Sequence, residues 1–460
     1  MNYFLVTFDE VFLKSEKVSK KLIRILENQL REKGIKVIFK KRFKFLIPYN
    51  EEEKEKYREI LKKTFGIKKI YEIKVFKDYN ELISFLINYN FKEETFKFLV
   101  KRINKEFPKK SIELARELGS LFVKKGKKVD LKNPKKVFYL EIDDSFYFSD
   151  NFYYGLGGLP LGSQGKTLSL FSGGIDSPVA SFLIAKRGIK PLLFFVYNGN
   201  PIVLFKTYLV YKKINEYLNT DFYYFSLNPS ILKEIKKVKK GYKQLAFKYF
   251  LYKLSEFFAN KNSLFTISTG ENLSQVSTQT QKSLFLLSKT INKLVLRPLL
   301  TFDKDEIKKL AKELKTLHFS ELIDEICTIE KKSVPFPDEK VFFEEIGKLN
   351  FNFEELVNKI RKFDKRKEEK LINLIKKFEE AKKEKKVFYF KDLEEKINDL
   401  ILKKESFVLY CETGVKSWYF LFKKSKELNI ELKDLLKFAF ACSKKDLKTN
   451  FLELLEEVKE

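Results

Sequence analysis

The spacing of apolar side chains divides the chain into short α+β units. Residues 2–8 are rich in β-branched and aromatic types and predict a strand. Apolar positions then recur with helical period from Val18 to Arg31, and a strand-like run follows at Val37–Phe39. Residues 69–76 alternate as a half-buried strand, Phe96–Val100 predicts another, and Ser111–Val123 reads as an amphipathic helix. Asn151–Lys166, with five Gly and one Pro in sixteen residues, predicts a connector. Beyond it a strand (Thr167–Phe171), a Gly-rich turn, a helix (Pro178–Arg187) and a strand (Lys190–Val196) lead to further helices and strand candidates at 221–226 and 264–268. This alternation predicts βαβ units around a parallel sheet. Phe351 to Lys386 is helical with mixed charge and predicts a solvated linker. Val387–Glu460 holds a β-type run ending at Cys411 and a helix from Trp418 to Leu428.

At 460 residues the chain has room for about three domains, and 44% hydrophobic against 34% charged residues excludes a disordered or low-complexity class. The formal charge is +29, but only 10 of the 92 basic residues are Arg, so a lysine bias explains much of it. More telling is the stretch Lys101–Lys136, where 13 basic and 4 acidic residues give +9 in 36. It reads either as a Lys-rich exposed face or as a footprint for backbone phosphates. A single His (His318) excludes zinc sites built on paired imidazoles, and three Cys without a C-x-x-C argue against a zinc ribbon and against a secreted disulfide scaffold. The N-terminal residues carry no signal-peptide pattern and no apolar run approaches the roughly 20 residues that span a bilayer, so a soluble cytoplasmic protein without a membrane partner is expected.

The chemistry concentrates in Leu168-Ser169-Leu170-Phe171-Ser172-Gly173-Gly174-Ile175-Asp176-Ser177-Pro178. A strand that runs through S-G-G-x-D-S into a helix lets glycine N–H groups turn inward, adds the Ser172 and Ser177 hydroxyls, and presents the positive end of a helix: an anion cradle. Asp176 has the wrong sign to bind phosphate and is suited to hold Mg²⁺ or a donor group. An Asp/Ser cap with Pro in the first turn accounts for Ser177-Pro178 but not for Ser172-Gly173-Gly174. Pro160 breaks both the Walker A spacing ending at Gly165-Lys166-Thr167 and the dinucleotide fingerprint starting at Gly155.

S-G-G-x-D-S resembles the PP-loop of ATP pyrophosphatases, which activate a carbonyl oxygen by adenylation. GLGGLPLGSQGKTLSLFSGGIDSPVASFLIAKRG, with STGENLSQVSTQT (Ser268–Thr280), LRPLLTFDKDEI (Leu296–Ile307) and the N-terminal LVTFDEVFLKS, is similar to the tRNA 4-thiouridine synthetase family, ThiI. The resemblance implies an α/β multidomain protein: a ferredoxin-like domain at 1–55, a THUMP RNA-binding domain at 56–150, a Gly-rich connector at 151–166 and a parallel-sheet PP-loop domain at 167–340. A charged helical linker at 341–386 and a shortened rhodanese-like domain at 387–460 would follow. It places ATP along Leu170 and Phe171, the loop Ser172, Gly173, Gly174 and Ser177, then Phe195, Val196, Lys248, Gly270 and Gln279. Lys248 would otherwise read as one more solvated lysine.

Cys411-Glu412-Thr413-Gly414-Val415-Lys416-Ser417 forms a C-x-x-G-x-x-S loop between a strand and a helix. Backbone N–H groups and a helix N-terminus there would stabilise a thiolate or persulfide, and the loop resembles the rhodanese active loop; the alternative is a packed thiol at a strand end. Val387–Phe390 lacks the Asp-x-Arg of a full rhodanese domain, and Trp418 stands where Arg is common. Cys327 sits where the family has a resolving cysteine, whereas Cys442, among Phe438-Ala439-Phe440-Ala441, reads as a core thiol.

The resemblance implies an ATP- and Mg²⁺-dependent tRNA sulfurtransferase that makes 4-thiouridine at position eight. Asp176 would serve adenylation, Cys411 would carry a persulfide and Cys327 would resolve it. Implied partners are tRNA, a cysteine desulfurase, a thiol reductant and a sulfur-carrier protein, the last for thiamine thiazole synthesis. The alternatives are a PP-loop enzyme acting on another tRNA base or on a sulfur carrier, and a non-catalytic tRNA-binding protein; a three-cysteine iron–sulfur cluster is more remote.

Overall fold

The alternating strands of the N-terminal third do not close into two separate sheets. In the computed structural model, which describes residues 2–40, 44–323, 330, 333–389, 394–412 and 415–459, they join into one. Its strands are β1 (Asn2–Phe8), β2 (Ile38–Lys40), β3 (Lys44–Tyr49), β4 (Ile67–Phe76), β5 (Thr95–Arg102), β6 (Lys128–Val129), β7 (Lys136–Ile142) and β8 (Phe146–Tyr154), in the order β2-β3-β1-β4-β8-β7-β5-β6. The seam is β4, antiparallel to β1 through Leu5↔Tyr71 and to β8 through Tyr71↔Phe152. Helices α1 (Glu16–Glu32) and α2 (Glu51–Lys62) bury Leu22, Leu26 and Leu61 with Phe4 and Phe45. Helices α3 (Tyr79–Asn88) and α4 (Ser111–Val123) bury Leu82, Leu118 and Phe122 against Phe96 and Phe138. This unit spans residues 1–163 with 186–188. The expected connector begins later than its glycines suggest, because Asn151–Tyr154 belong to β8, whose aromatic residues pair with β4.

Residues 164–185 and 189–460 form the second unit. A sheet of six strands is built from β9 (Lys166–Leu170), β10 (Lys190–Tyr197), β11 (Phe222–Ser226), β12 (Thr266–Ser268), β13 (Leu294–Leu296) and β14 (Arg361–Lys362), in the order β13-β12-β9-β10-β11-β14, and the apolar run of β10 is buried from Pro191 to Tyr197, as expected of a strand covered on both faces. All neighbours are parallel except β14. The helices are α5 (Asp176–Lys186), α6 (Pro201–Leu218), α7 (Pro229–Lys236), α8 (Lys243–Lys261), α9 (Gln281–Lys289) and α10 (Lys304–Glu313). After β9 the chain moves outward through β10 and β11, then returns to the other side of β9 with β12. The strand order therefore reverses between β9 and β12, and a crevice opens beyond their carboxyl ends. Among the described residues no helix is long and apolar enough to cross a membrane.

Helix α6 is buried on nearly every side. Thr207 Oγ1 donates to Ser172 O at 3.4 Å, while the neighbouring Lys206 Nζ contacts Asp446 Oδ1 at 2.6 Å with both side chains almost fully buried. Asn200 Nδ2 donates to Ala441 O at 2.7 Å. Asp446 and Ala441 belong to a small C-terminal layer of three parallel strands, β15 (Val387–Tyr389), β16 (Phe407–Cys411) and β17 (Ala439–Ser443), with β16 in the centre. Residues 341–386, expected as a solvated linker, are packed instead. They supply β14 and the helix Lys365–Lys383, which buries Leu371, Ile375 and Phe378. Helical periodicity is real there, but its apolar stripe faces α6 and Phe451 rather than water.

Candidate active site

At the strand reversal the carboxyl ends of β9, β10 and β12 open into a cavity of about 300 Å³. Phe171 N–H donates to Phe194 O at 2.8 Å, which pins the exit of β9 to β10. The chain then turns through Ser172–Ile175 into α5. Gly173 has φ +77°, and a Cβ there would lie 3.1 Å from the Thr207 Cα, so both conformation and space call for glycine. The Ser177 hydroxyl holds the turn, accepting N–H bonds from Ser172 at 3.1 Å and Gly173 at 3.2 Å, and Ser172 Oγ accepts from Gly174 at 3.3 Å. Across the crevice Gly270 lies so close to α5 that a Cβ would come within 3.0 Å of Ser177 N. This brings the loop after β12 onto the N-terminus of α5, where backbone N–H groups favour an anion.

The cavity gathers the residues singled out in sequence. Leu170, Phe171, Ser172, Asp176 and Ser177 line it from β9 and α5, and Phe195 and Val196 from β10. Lys248 enters from α8, and Gly270 and Gln279 from the loop after β12. Gly173 and Gly174 shape the turn behind this lining. Lys248 is not a solvated lysine: its side chain is 15% exposed and Nζ lies 2.9 Å from Glu271 Oε1.

Glu271 went unselected in sequence, although it lies inside Ser268–Thr280. It is buried and accepts from Tyr252 OH at 2.6 Å, Arg297 Nε at 3.0 Å and Thr269 Oγ1 at 3.1 Å. Burial acts to raise its carboxyl, but Lys248 and Arg297, with the Tyr252 hydroxyl, outweigh it and bring it down to about 2. A carboxyl held below its unfolded value stabilises the fold above about pH 4.5, and that contribution is lost as pH falls toward about 2. Glu271→Gln is expected to cost about 3 kcal/mol at neutral pH and to flatten the acid limb of stability between those values. Thermal unfolding of both proteins across that range checks it, and parallel acid limbs would contradict the assignment.

Lys304, at the start of α10, was also missed. Its Nζ is 2.8 Å from Asp176 Oδ1 and adds a second cation at the mouth of the loop. Both Lys304 and Arg297 lie within Leu296–Ile307, so the motifs contained them without ranking them. The Asp176 carboxylate can serve a divalent ion. Among the described residues no three His, Cys, Asp or Glu side chains gather to hold a metal.

Cys411 ends the central strand β16 and is 2% exposed, with its Sγ 3.5 Å from Ser417 Oγ. Ser417 lies in the first turn of the helix Val415–Glu427, and its hydroxyl also donates to Cys442 O at 3.3 Å. Cys442 is a buried thiol, pushed up by burial and then by the nearby Asp446. Cys327 lies outside the described residues. In the basic stretch, Lys109 pairs with Glu117 and Lys128 with Glu94, Lys136 pairs with Asp150, and Arg102, Lys125 and Lys127 donate to backbone carbonyls. Those six side chains fasten the unit together, leaving the other seven of the 13 basic residues to account for any phosphate footprint.

Comparison with known proteins bears on this geometry. The family described as Thiamine biosynthesis protein (ThiI) matches residues 162–354 and the THUMP domain matches residues 75–149. A probable tRNA sulfurtransferase of Methanocaldococcus jannaschii is 34% identical over 343 residues, covering 69% of this chain and 88% of that protein. The chain belongs to the tRNA sulfurtransferase family. The tRNA sulfurtransferase of Aliivibrio fischeri is 32% identical over 388 residues, 80% of either chain. A solved 4-thiouridine synthetase, in complex with RNA and with bound ATP, superposes with a TM-score of 0.70 at 26% identity, covering 79% of this chain and all of that one. The ThiI match contains the whole cavity and ends before the strand that carries Cys411. Membership of the family thus covers the expected THUMP and PP-loop architecture, while the rhodanese-like reading of the C-terminal layer rests on the C-x-x-G-x-x-S loop alone.

Proposed function

We propose that this sulfurtransferase binds ATP in the cavity between β9 and β12 and uses it to adenylate a tRNA uridine, which then receives sulfur from Cys411. The observation that carries the reading is the convergence of Leu170, Ser172, Asp176, Ser177, Lys248, Gly270 and Gln279 on one crevice at the strand reversal. Backbone at the ends of β9 and β10 can read adenine, and the loop N–H groups with Lys248 and Lys304 suit the polyphosphate. Mg²⁺ beside Asp176 would offset phosphate charge. The uridine O4 attacks the α-phosphorus, the bond to the β-phosphate oxygen breaks, and pyrophosphate leaves. Adenylation turns a poor leaving oxygen into a good one.

The terminal sulfur of a Cys411 persulfide, supplied by a cysteine desulfurase, then attacks C4 and AMP departs. The Cys327 thiolate attacks the Cys411 sulfur, releasing 4-thiouridine and leaving a Cys327–Cys411 disulfide for a thiol reductant to open. Position eight of tRNA, the cytoplasm, and a sulfur-carrier role in thiazole synthesis follow from the family resemblance.

Mass analysis of tRNA nucleosides from a deletion strain tests the substrate: 4-thiouridine should vanish and return with the wild-type gene, and unchanged 4-thiouridine would reject it. For Cys327→Ser, one turnover of persulfide-loaded enzyme should be partly retained while multiple turnover is lost. Steady cycling by that variant would remove the resolving step.

A further inference from the structure

The function proposed above leaves one built surface unused. Beside the C-terminal layer, α7 and the helix Val415–Glu427 flank a groove of about 170 Å³ lined by Trp418, Tyr419 and Phe422 and rimmed by Lys233, Lys236, Lys423 and Lys426. The spacing follows the helix: Trp418, Phe422 and Lys426 fall at successive intervals of four and share a face. The Trp418 and Phe422 rings are parallel within 7° at 6.0 Å, forming an aromatic floor, whereas Tyr419 is 52% exposed. Lys236 Nζ lies 5.5 Å from the Tyr419 ring centre and Lys426 Nζ 4.8 Å from that of Phe422. Lys423 pairs with Glu427 at 3.2 Å, but among the described residues no carboxylate partners Lys233, Lys236 or Lys426. The Trp418 indole is buried and its Nε1 has no hydrogen-bond partner among the described residues.

We infer that this groove binds a single-stranded segment of RNA, with phosphates against the lysines and an unpaired base on the Tyr419 ring. Four cations, three of them without a paired carboxylate among the described residues, complement a polyanion. The exposed Tyr419 ring between them suits the face of an unstacked base, which a duplex does not offer. The helix that lines the groove, Val415–Glu427, begins four residues after Cys411 in the chain. RNA held there would run beside the sulfur-bearing segment. The inference rests on the RNA-directed reading of the enzyme but concerns a surface outside the nucleotide cavity and outside the THUMP match.

Trp418 is the single tryptophan of the chain, so its emission reports this groove without interference from RNA held elsewhere. Titration of the full-length protein with an oligouridylate of about eight nucleotides should change Trp418 emission saturably. Affinity should fall log-linearly with salt, by about 0.7 per lysine–phosphate contact. K233Q/K236Q should weaken binding about tenfold and reduce the salt slope by about 1.4. Tyr419→Ala should weaken it about tenfold while Tyr419→Phe retains it. No emission change at saturating RNA, equal affinity for a duplex of the same length, or an unaltered salt slope in K233Q/K236Q would each overturn the inference. An emission change produced by a cysteine desulfurase but not by RNA would overturn it in favour of a protein dock. Failure of tRNA thiolation is scored separately, by nucleoside analysis, and leaves this titration unaffected.

Discussion

Cys411→Ser is expected to yield no 4-thiouridine while tRNA-dependent release of AMP and pyrophosphate continues at close to the wild-type rate. The reason is spatial as well as chemical. Cys411 closes β16 in the C-terminal layer, whereas ATP would be cleaved at the strand reversal between β9 and β12, so the two half-reactions draw on different elements. Serine is close to cysteine in size but cannot form a persulfide, and the sulfur donor then has nowhere to deposit its cargo. Mass analysis of the tRNA alongside a pyrophosphate assay checks both halves at once. Normal 4-thiouridine in the variant would rule out Cys411 as the carrier.

Asp176→Ala should act on the other half. Removing the carboxylate leaves Lys304 without its partner at the loop mouth and takes away a ligand for Mg²⁺, with an expected loss of about 10²–10³-fold in ATP cleavage. Persulfide loading of Cys411 by a desulfurase should be unchanged, which separates this variant from a folding defect. Unaltered conversion of ATP to AMP on tRNA would reject the loop assignment. The pair of variants therefore gives opposite patterns, one loading without activation and the other activating without delivery.

Much of this was legible in the sequence because the decisive features are local. A strand, a turn of two glycines and a helix read directly from Leu168–Pro178, although the helix begins at Asp176 rather than Pro178, and α4 matches its expected span at Ser111–Val123. Ten of the fifteen residues that line the cavity were legible through the family resemblance, even though Lys248 sits on a helix with no distinguishing pattern of its own. What escaped was long-range. Glu271 and Lys304 matter through partners 23 and 128 residues away, Lys248 and Asp176, and no periodicity encodes such pairings. The short strands β13 and β14 carry too few residues for an alternation to register, so they appeared only through their pairing in the sheet. The stretch 341–386 misled for a related reason: charge on three sides of a helix masks the single stripe that Leu371, Ile375 and Phe378 commit to the interior.

The adjacency of Lys206 and Thr207 on α6 bears on how such an enzyme could gain or shed its C-terminal layer. A modular appendage would leave its host's surface intact when removed. Here, cutting the chain before Val387 would strip Asp446 from Lys206 and Phe451 from Phe205, whose rings lie 5.7 Å apart, and would bare a helix with scarcely a hydrophilic side. The remnant would carry an intact nucleotide cavity on a sticky, charge-unbalanced shoulder. Trimming the C-terminus into a soluble shorter enzyme thus requires rewriting α6, starting at Phe205 and Lys206.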